Sequence, residues 1–310
     1  MTRTRRRSAP ARRAAVATVA ATAAGVSLLS AGAGSAQAAD ASAAGAYKHY
    51  VALGDSYAAG TGLPQATNDT CKRSTSSYAS LLAAAYKPAV FKDVTCSGAT
   101  TKSLWNKQGS QAPQVNALTK DTDLVTVTLG GNDLGFTETL TQCVVASQLG
   151  NTCKASVAKT LDAKLDYVAS RTRDMITDIS RRSPNARIVL VGYPRLFPAD
   201  GSRCAPYKAQ VPLAASDVAY LDQVTRELNV TQALVAHQAK TEGKKVTYAD
   251  TYSAFTDAHM CQSDAAKRWI NPVLTPNAST GKLTVTSGSA HPNGVGHLMM
   301  GRKAYQVLQG

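Results

Sequence analysis

Five short apolar runs punctuate the chain: Tyr50-Val51-Ala52-Leu53, a weaker one at Ala89-Val90-Phe91, Leu124 to Leu129, Ile188 to Val191, and Val246-Thr247-Tyr248. Such short runs are the pattern of strands buried on both faces. Between the third and fourth, Val157, Leu161, Leu165, Val168, Met175 and Ile179 recur at mostly helical spacing, and between the fourth and fifth so do Val218, Leu221, Val224, Leu228 and Leu234. These stripes are expected to face the core. Strands alternating with helices predict an α/β domain with a parallel sheet of about five strands, covered on both sides. No Pro/Gly/Ser-rich tract, charge block or internal repeat divides residues 45–310, which predicts a single domain.

In a sheet of this kind the loops at the carboxyl ends of the strands form the ligand crevice. Here those loops carry unusual residues: Gly54-Asp55-Ser56 after the first run, Ser97-Gly98 after the second, Gly130-Gly131-Asn132-Asp133 after the third and Asp250 after the fifth. One shared site explains four such loops on one edge better than four independent turns do.

The first 38 residues read as a signal peptide. Arg3, Arg5, Arg6, Arg7, Arg12 and Arg13 precede an apolar, Ala-rich run ending in Ala36-Gln37-Ala38, a basic head, apolar middle and small-residue exit. The competing reading is a low-complexity tail. Arg5-Arg6-Arg7 leaves the export route, general or twin-arginine, open. The expected mature domain is 39–310, secreted and extracellular. The formal charge of +14 falls to about +8 once the six arginines of that segment are removed. The remaining basic residues are scattered, with Arg181-Arg182 and Lys244-Lys245 as the notable pairs, and no aromatic-interleaved basic stripe accompanies them. That pattern points away from nucleic acid. All six cysteines follow the signal, and an even number in an exported chain reads as disulfides. With no C-x-x-C or H-E-x-x-H spacing, metal ligation is the weaker reading. Fifteen pairings are formally open.

A serine hydroxyl needs a base within hydrogen-bond reach and donors for the oxyanion that forms on attack. Ser56 sits where a strand turns into its loop, so its own N–H can face the developing charge; Gly98 could offer a second N–H and Asn132 a side-chain amide. Five histidines are available as the base. His49 opens a strand, His237 falls on a solvated helix face, and His259 lies beside Cys261. His297 is expected to be a structural or surface residue of the last helix. His291, in Ser289-Ala290-His291-Pro292-Asn293, precedes that helix at a turn fixed by proline, and is the expected base.

Gly54-Asp55-Ser56-Tyr57, Gly98, Gly131-Asn132-Asp133 and His291-Pro292 resemble the ordered blocks of the SGNH, or GDSL, hydrolase family, most closely its secreted actinobacterial esterase/lipase branch. The resemblance spans residues 39–310. It implies a three-layer α/β/α flavodoxin-like fold, no metal or other cofactor, catalysis by Ser56 and His291, and an oxyanion hole from Ser56, Gly98 and Asn132. It also supports the sequential pairing that closes three local loops: Cys71 with Cys96, Cys143 with Cys153, and Cys204 with Cys261. In one respect the chain departs. Many relatives place an aspartate three residues before the histidine, where this chain has Gly288. The expected substitute is the backbone carbonyl of Gly288, with Asp250 as the alternative. Asp133 and Asp55 are expected to organise their own loops.

The expected activity is that of a secreted serine carboxylic-ester hydrolase acting on triacylglycerols and simple fatty-acyl esters, with phospholipase A or carbohydrate acetylesterase activity as alternatives. A non-catalytic exported binding protein is the reading from a different class; the presence of all four blocks counts against it. No G-x-S-x-G elbow follows residue 38, and neither nucleotide-binding glycine fingerprint is present. The expected partners are the ester substrate and, transiently, a lipid surface, with the chain acting as a monomer.

Overall fold

The computed structural model describes residues 45–64 and 70–310. The expected signal peptide, and the start of the domain at residue 39, lie outside the described residues. Strand β1 (His49–Gly54) leads into a one-turn helix α1 (Ser56–Ala59), then α2 (Tyr78–Tyr86) and β2 (Val90–Asp93). Next come β3 (Leu124–Thr128), α3 (Gly131–Leu134), α4 (Phe136–Gln148) and α5 (Lys154–Arg182). The remainder is β4 (Arg187–Val191), α6 (Ala215–Thr241), β5 (Val246–Ala249), α7 (Thr251–Ala254), the short strands β6 (Thr275–Pro276) and β7 (Leu283–Thr284), and α8 (Gly294–Gln309).

The five main strands form one parallel sheet in the order β2-β1-β3-β4-β5. This is the flavodoxin-like order, whose topological switch point lies between β1 and β3. The unbroken apolar runs are explained by burial on both faces. Tyr50 and Ala52 of β1 pack with Tyr78 and Leu82 of α2 and Met300 and Leu308 of α8. Val51 and Leu53 face the other way, toward Met175 and Ile179 of α5 and Val235 and Ala239 of α6. The weak second run is the edge strand, ending in Lys92 and Asp93, and its residues alternate between exposed and half-buried. Charge at such an edge discourages pairing with another chain.

The expected helical stripes follow the core except at Leu234, which is 64% exposed. From Leu228 the spacing of four and then three residues leads to buried Gln232 and Val235, so Leu234 falls off the stripe. The antiparallel pair β6–β7 has no counterpart in the hydrophobic pattern, because each strand is two residues long.

The 29-residue α5 and 27-residue α6 extend for about 40 Å each, whereas a five-residue strand spans about 17 Å. In a parallel sheet the N-terminal half of such a helix lies toward the carboxyl edge of the strands. There Val157 and Leu161 of α5 and Val218, Leu221 and Leu228 of α6 join the core that also takes in Leu134 and Cys143. Three disulfides, Cys71–Cys96, Cys143–Cys153 and Cys204–Cys261, close loops of 25, 10 and 57 residues. This is the sequential pairing. Cys71–Cys96 holds the segment leading to Gly98, where Ser97 N–H also donates to the Cys71 carbonyl.

Candidate active site

Gly54 ends β1 with φ at +138°, and a Cβ there would lie 2.5 Å from the Thr128 carbonyl oxygen, so only glycine lets β1 turn this close to β3. Gln114 holds both backbone groups of Gly54: its Oε1 accepts the N–H at 2.8 Å and its Nε2 donates to the carbonyl at 2.9 Å. Asp55 then caps α1, accepting the Tyr57 N–H at 2.9 Å. Ser56 is thereby placed at the first position of a helix, at the carboxyl edge beside the switch point. Its own N–H and that of Gly98 have no acceptor among the described residues.

His291 Nε2 lies 2.8 Å from Ser56 Oγ. On the other side of the ring, Nδ1 lies 2.8 Å from the carbonyl oxygen of Ser289, not that of Gly288. The expectation for Gly288 is therefore corrected by one residue. Its carbonyl is already engaged, accepting the His291 backbone N–H at 3.2 Å and Asn271 Nδ2 at 3.1 Å. Ala290, at φ +57°, curls the chain so that the ring reaches back only to position 289. Asp250 is also excluded as the orienting acid: it is exposed, and its carboxylate caps α7 through the Ser253 N–H. With a carbonyl acceptor, Nδ1 carries the proton and Nε2 faces Ser56 as an acceptor.

The Asn132 side chain lines the same cleft and donates from Nδ2 to the Ala99 carbonyl at 2.8 Å, tying its turn to the Gly98 loop. Asp133 makes the second tie, accepting the Thr101 N–H at 2.8 Å and the Thr101 hydroxyl at 2.6 Å. The structure thus brings Ser56, His291, Gly98 and Asn132 together and leaves Asp250 outside. His49 is half-buried at the start of β1, His237 is exposed, and His259 and His297 are buried. His297 is not a surface residue: its Nδ1 accepts the Tyr78 N–H at 3.3 Å inside the core.

Besides Gln114 and the Ser289 carbonyl, two tyrosines of the site had no role assigned from the sequence. Tyr57 donates to the Ala290 carbonyl at 2.7 Å, and its ring lies 4.8 Å from the His291 ring, clamping the histidine turn onto the serine turn. Tyr193, two residues beyond β4, donates to the Asp55 carboxylate and accepts the Gly131 N–H at 2.8 Å. Tyr57 was available as the fourth residue of its block. Nothing in the pattern around Tyr193 distinguishes it from a core aromatic.

Burial is the dominant influence on the titrating groups. It pushes the His291 imidazole below 6.5; the Ser289 hydrogen bond opposes this, and the Lys72 charge adds to it. Burial thus favours the neutral ring, the form in which an imidazole can accept a proton. Asp55 is pushed up to about 7 by burial, against the lowering effect of the Tyr193 and Tyr57 hydrogen bonds. Burial also lowers His259 to about 4 and His297 to about 3.

The cleft beside Ser56 is a cavity of about 370 Å³. One wall is α4, through Phe136, Leu140, Val144 and Val145; Leu196, Leu228 and Val273 are buried in the lining, and Val285 lies at the exposed rim. Ser56, Gly98, Asn132 and His291 line this same cavity, and Thr137 and Thr141 of α4 add hydroxyls to its otherwise apolar wall. A hydroxyl in contact with a neutral imidazole, beside free N–H donors and an apolar channel, is suited to acyl transfer from an apolar acid.

Residues 52–298 match the model of the GDSL-like lipase/acylhydrolase family. The chain belongs to this family. Over 270 residues it is 35% identical to "Lipase 2" of Streptomyces coelicolor, covering 84% of this chain and 85% of that protein. Among solved structures, phospholipase A1 from Streptomyces albidoflavus superposes with a TM-score of 0.68 at 29% identity, over 86% of this chain and 100% of that one. The extracellular lipase of Streptomyces rimosus gives 0.65 at 28% identity, over 84% and 98%. Like its relatives in the GDSL-like lipase/acylhydrolase family, the chain is a carboxylic-ester hydrolase of the lipase and esterase type.

The buried histidines of this family member predict an acid-labile fold. Both folded-state values lie below 6.5, so their contribution to stability is complete above pH 6.5 and is lost as pH falls toward 4 for His259 and 3 for His297. Asp55 acts oppositely. Its raised value favours the fold below 3.8, and that contribution is lost as pH rises through about 7. Burial also lowers His291, which acts with the two histidines, and raises Asp133, which acts with Asp55. Three histidines thus stand against two carboxyls, and the melting temperature is expected to fall between pH 6.5 and 4. The fall should be shallower in His297→Asn, as read by thermal melts across that range.

Proposed function

We propose that the chain is a secreted lipase that hydrolyses fatty-acyl esters, triacylglycerols first, through an acyl intermediate on Ser56. The observation that carries the substrate class is the apolar cleft along α4 that opens at Ser56. An acetyl group would leave that wall bare, whereas a fatty-acyl chain buries its methylenes there at about 0.8 kcal/mol each. Phospholipase A activity is the second reading, favoured by the similarity to a solved phospholipase A1.

In this reading His291 Nε2 takes the Ser56 proton as Oγ attacks the ester carbonyl, and the Ser289 carbonyl keeps the ring in register and steadies its positive charge. The N–H groups of Ser56 and Gly98 and the Asn132 amide bind the oxyanion. The imidazolium then protonates the departing alcohol. Water, deprotonated by the same nitrogen, attacks the acyl-enzyme, and collapse of the second oxyanion returns the proton to Ser56. The basic, apolar segment 1–38 and the three disulfides support export to an oxidising compartment. We place the enzyme there as a monomer with transient contact to lipid surfaces.

The test is hydrolysis of triacylglycerols of short, medium and long chain beside phosphatidylcholine and acetylated xylan. Turnover of medium- or long-chain triacylglycerol above the other two is expected. Preference for phosphatidylcholine would select the second reading, and activity on acetylated xylan alone would overturn both.

A further inference from the structure

We propose that Tyr193 is a positioning residue that sets the distance between the serine turn and the oxyanion turn. The proposal rests on the reading above, in which Ser56 and Asn132 act on the same carbonyl. The two turns follow adjacent strands, β1 and β3, and the disulfides leave them unlinked to each other. The Tyr193 hydroxyl joins them: it donates to Asp55, whose carboxylate also caps the helix that Ser56 opens, and accepts the N–H of Gly131, the residue before Asn132.

The brace is rigid for reasons visible around it. Tyr193 is 5% exposed, and its backbone N–H donates to Asn229 Oδ1 at 2.9 Å, so the ring is anchored on α6. Its ring meets Tyr57 edge-on, with centroids 5.2 Å apart and planes at 75°. A Cβ on Gly131 would lie 3.0 Å from the tyrosine ring, so glycine permits the contact that brings N–H and hydroxyl together. The hydroxyl is engaged on both sides by protein groups, which gives it a positioning role and no proton to exchange with substrate.

An oxyanion donor works only within about 2.7–3.1 Å of the oxygen it binds, and misplacement by about 1 Å can cost a hundredfold. Removing the hydroxyl leaves the Gly131 N–H and the Asp55 carboxylate each short of a partner, and both turns relax. The acyl channel along α4 is untouched. The loss should therefore fall on turnover and spare substrate binding.

Tyr193→Phe keeps the ring and deletes the brace. On a soluble p-nitrophenyl ester it is expected to lower kcat at least about tenfold while KM stays within about twofold, and to slow labelling by a serine-directed fluorophosphonate in parallel. Asp55→Asn/Tyr193→Phe should be no slower than the worse single variant, because both changes break one link. Should Tyr193→Phe fail to fold, Gly131→Ala displaces the same hydroxyl and should show the same kcat-selective loss. Unchanged kcat, equal losses in kcat and in substrate affinity, or additive effects in the double variant would overturn the proposal. Ser56→Ala in parallel separates the two layers: retained activity there removes the reading of the site, whereas an inactive Ser56→Ala beside a normal Tyr193→Phe removes only the brace.

Discussion

Ser56→Ala is expected to reduce hydrolysis of a short p-nitrophenyl ester by at least about a thousandfold without lowering the melting temperature by more than a few degrees. Ser56 is only 8% exposed, but its hydroxyl is spent on His291 and supports no other element. Removing it leaves the caps of α1, the Gln114 clamp and the Tyr57 contact in place. His291→Ala should lose a comparable factor in kcat, since in the proposed mechanism the two groups act as one unit and their effects do not add. In the native enzyme the acidic limb of kcat/KM should lie below pH 6.5, following the burial-lowered imidazole. An acidic limb above that value would mean another group supplies the base. Retained activity in Ser56→Ala, with no mass gain on fluorophosphonate treatment of the native chain, would place the chemistry elsewhere.

The sheet, the order of the loops and the Ser56–His291 contact were legible because strong local rules write them. Strands buried on both faces demand unbroken apolar runs, and the carboxyl-edge rule then collects Ser56, Gly98 and Asn132 whatever the details of the helices. What orients His291 was not legible. The choice between the carbonyls of residues 288 and 289 depends on a left-handed φ at Ala290, and nothing in Ser-Gly-Ser-Ala announces it, since glycine is the residue expected to take such a φ. Tyr193 was missed for a different reason. Its partners, Asp55 and Gly131, lie 138 and 62 residues away, and a tyrosine after a strand looks the same whether its hydroxyl meets a neighbour or a distant loop. The shape of the apolar cleft was also hidden. No helical stripe was read over Phe136–Gln148, and which face of α4 lines the cleft depends on a tertiary path that Cys143–Cys153 ties to the start of α5.

Gly62→Ala is expected to damage activity far more than its surface-loop position suggests. Gly62 has φ +88°, and a Cβ there would lie 2.3 Å from the Cα and 2.7 Å from the N of Gly288. Both are backbone atoms, so no side-chain rotation relieves the clash, and the strand of chain that carries Ser289, Ala290 and His291 must move. That segment is held at several points: Ala290 N–H donates to the Pro272 carbonyl, Asn271 N–H to the His291 carbonyl, and Tyr57 to the Ala290 carbonyl. A shift at Gly288 therefore either breaks these bonds or tilts the imidazole away from Ser56. The expected loss in kcat is about a hundredfold, the cost of roughly an ångström of misplacement. The expected loss of stability is about 2 kcal/mol, from left-handed strain plus the clash. Gly243→Ala is the control. It has a similar φ of +85° with open space around its Cβ, beyond the C-terminal end of α6. It should lose about 1 kcal/mol and keep kcat. Equal kinetic effects of the two substitutions would mean that the close crossing of Gly62 and Gly288 does not govern the histidine.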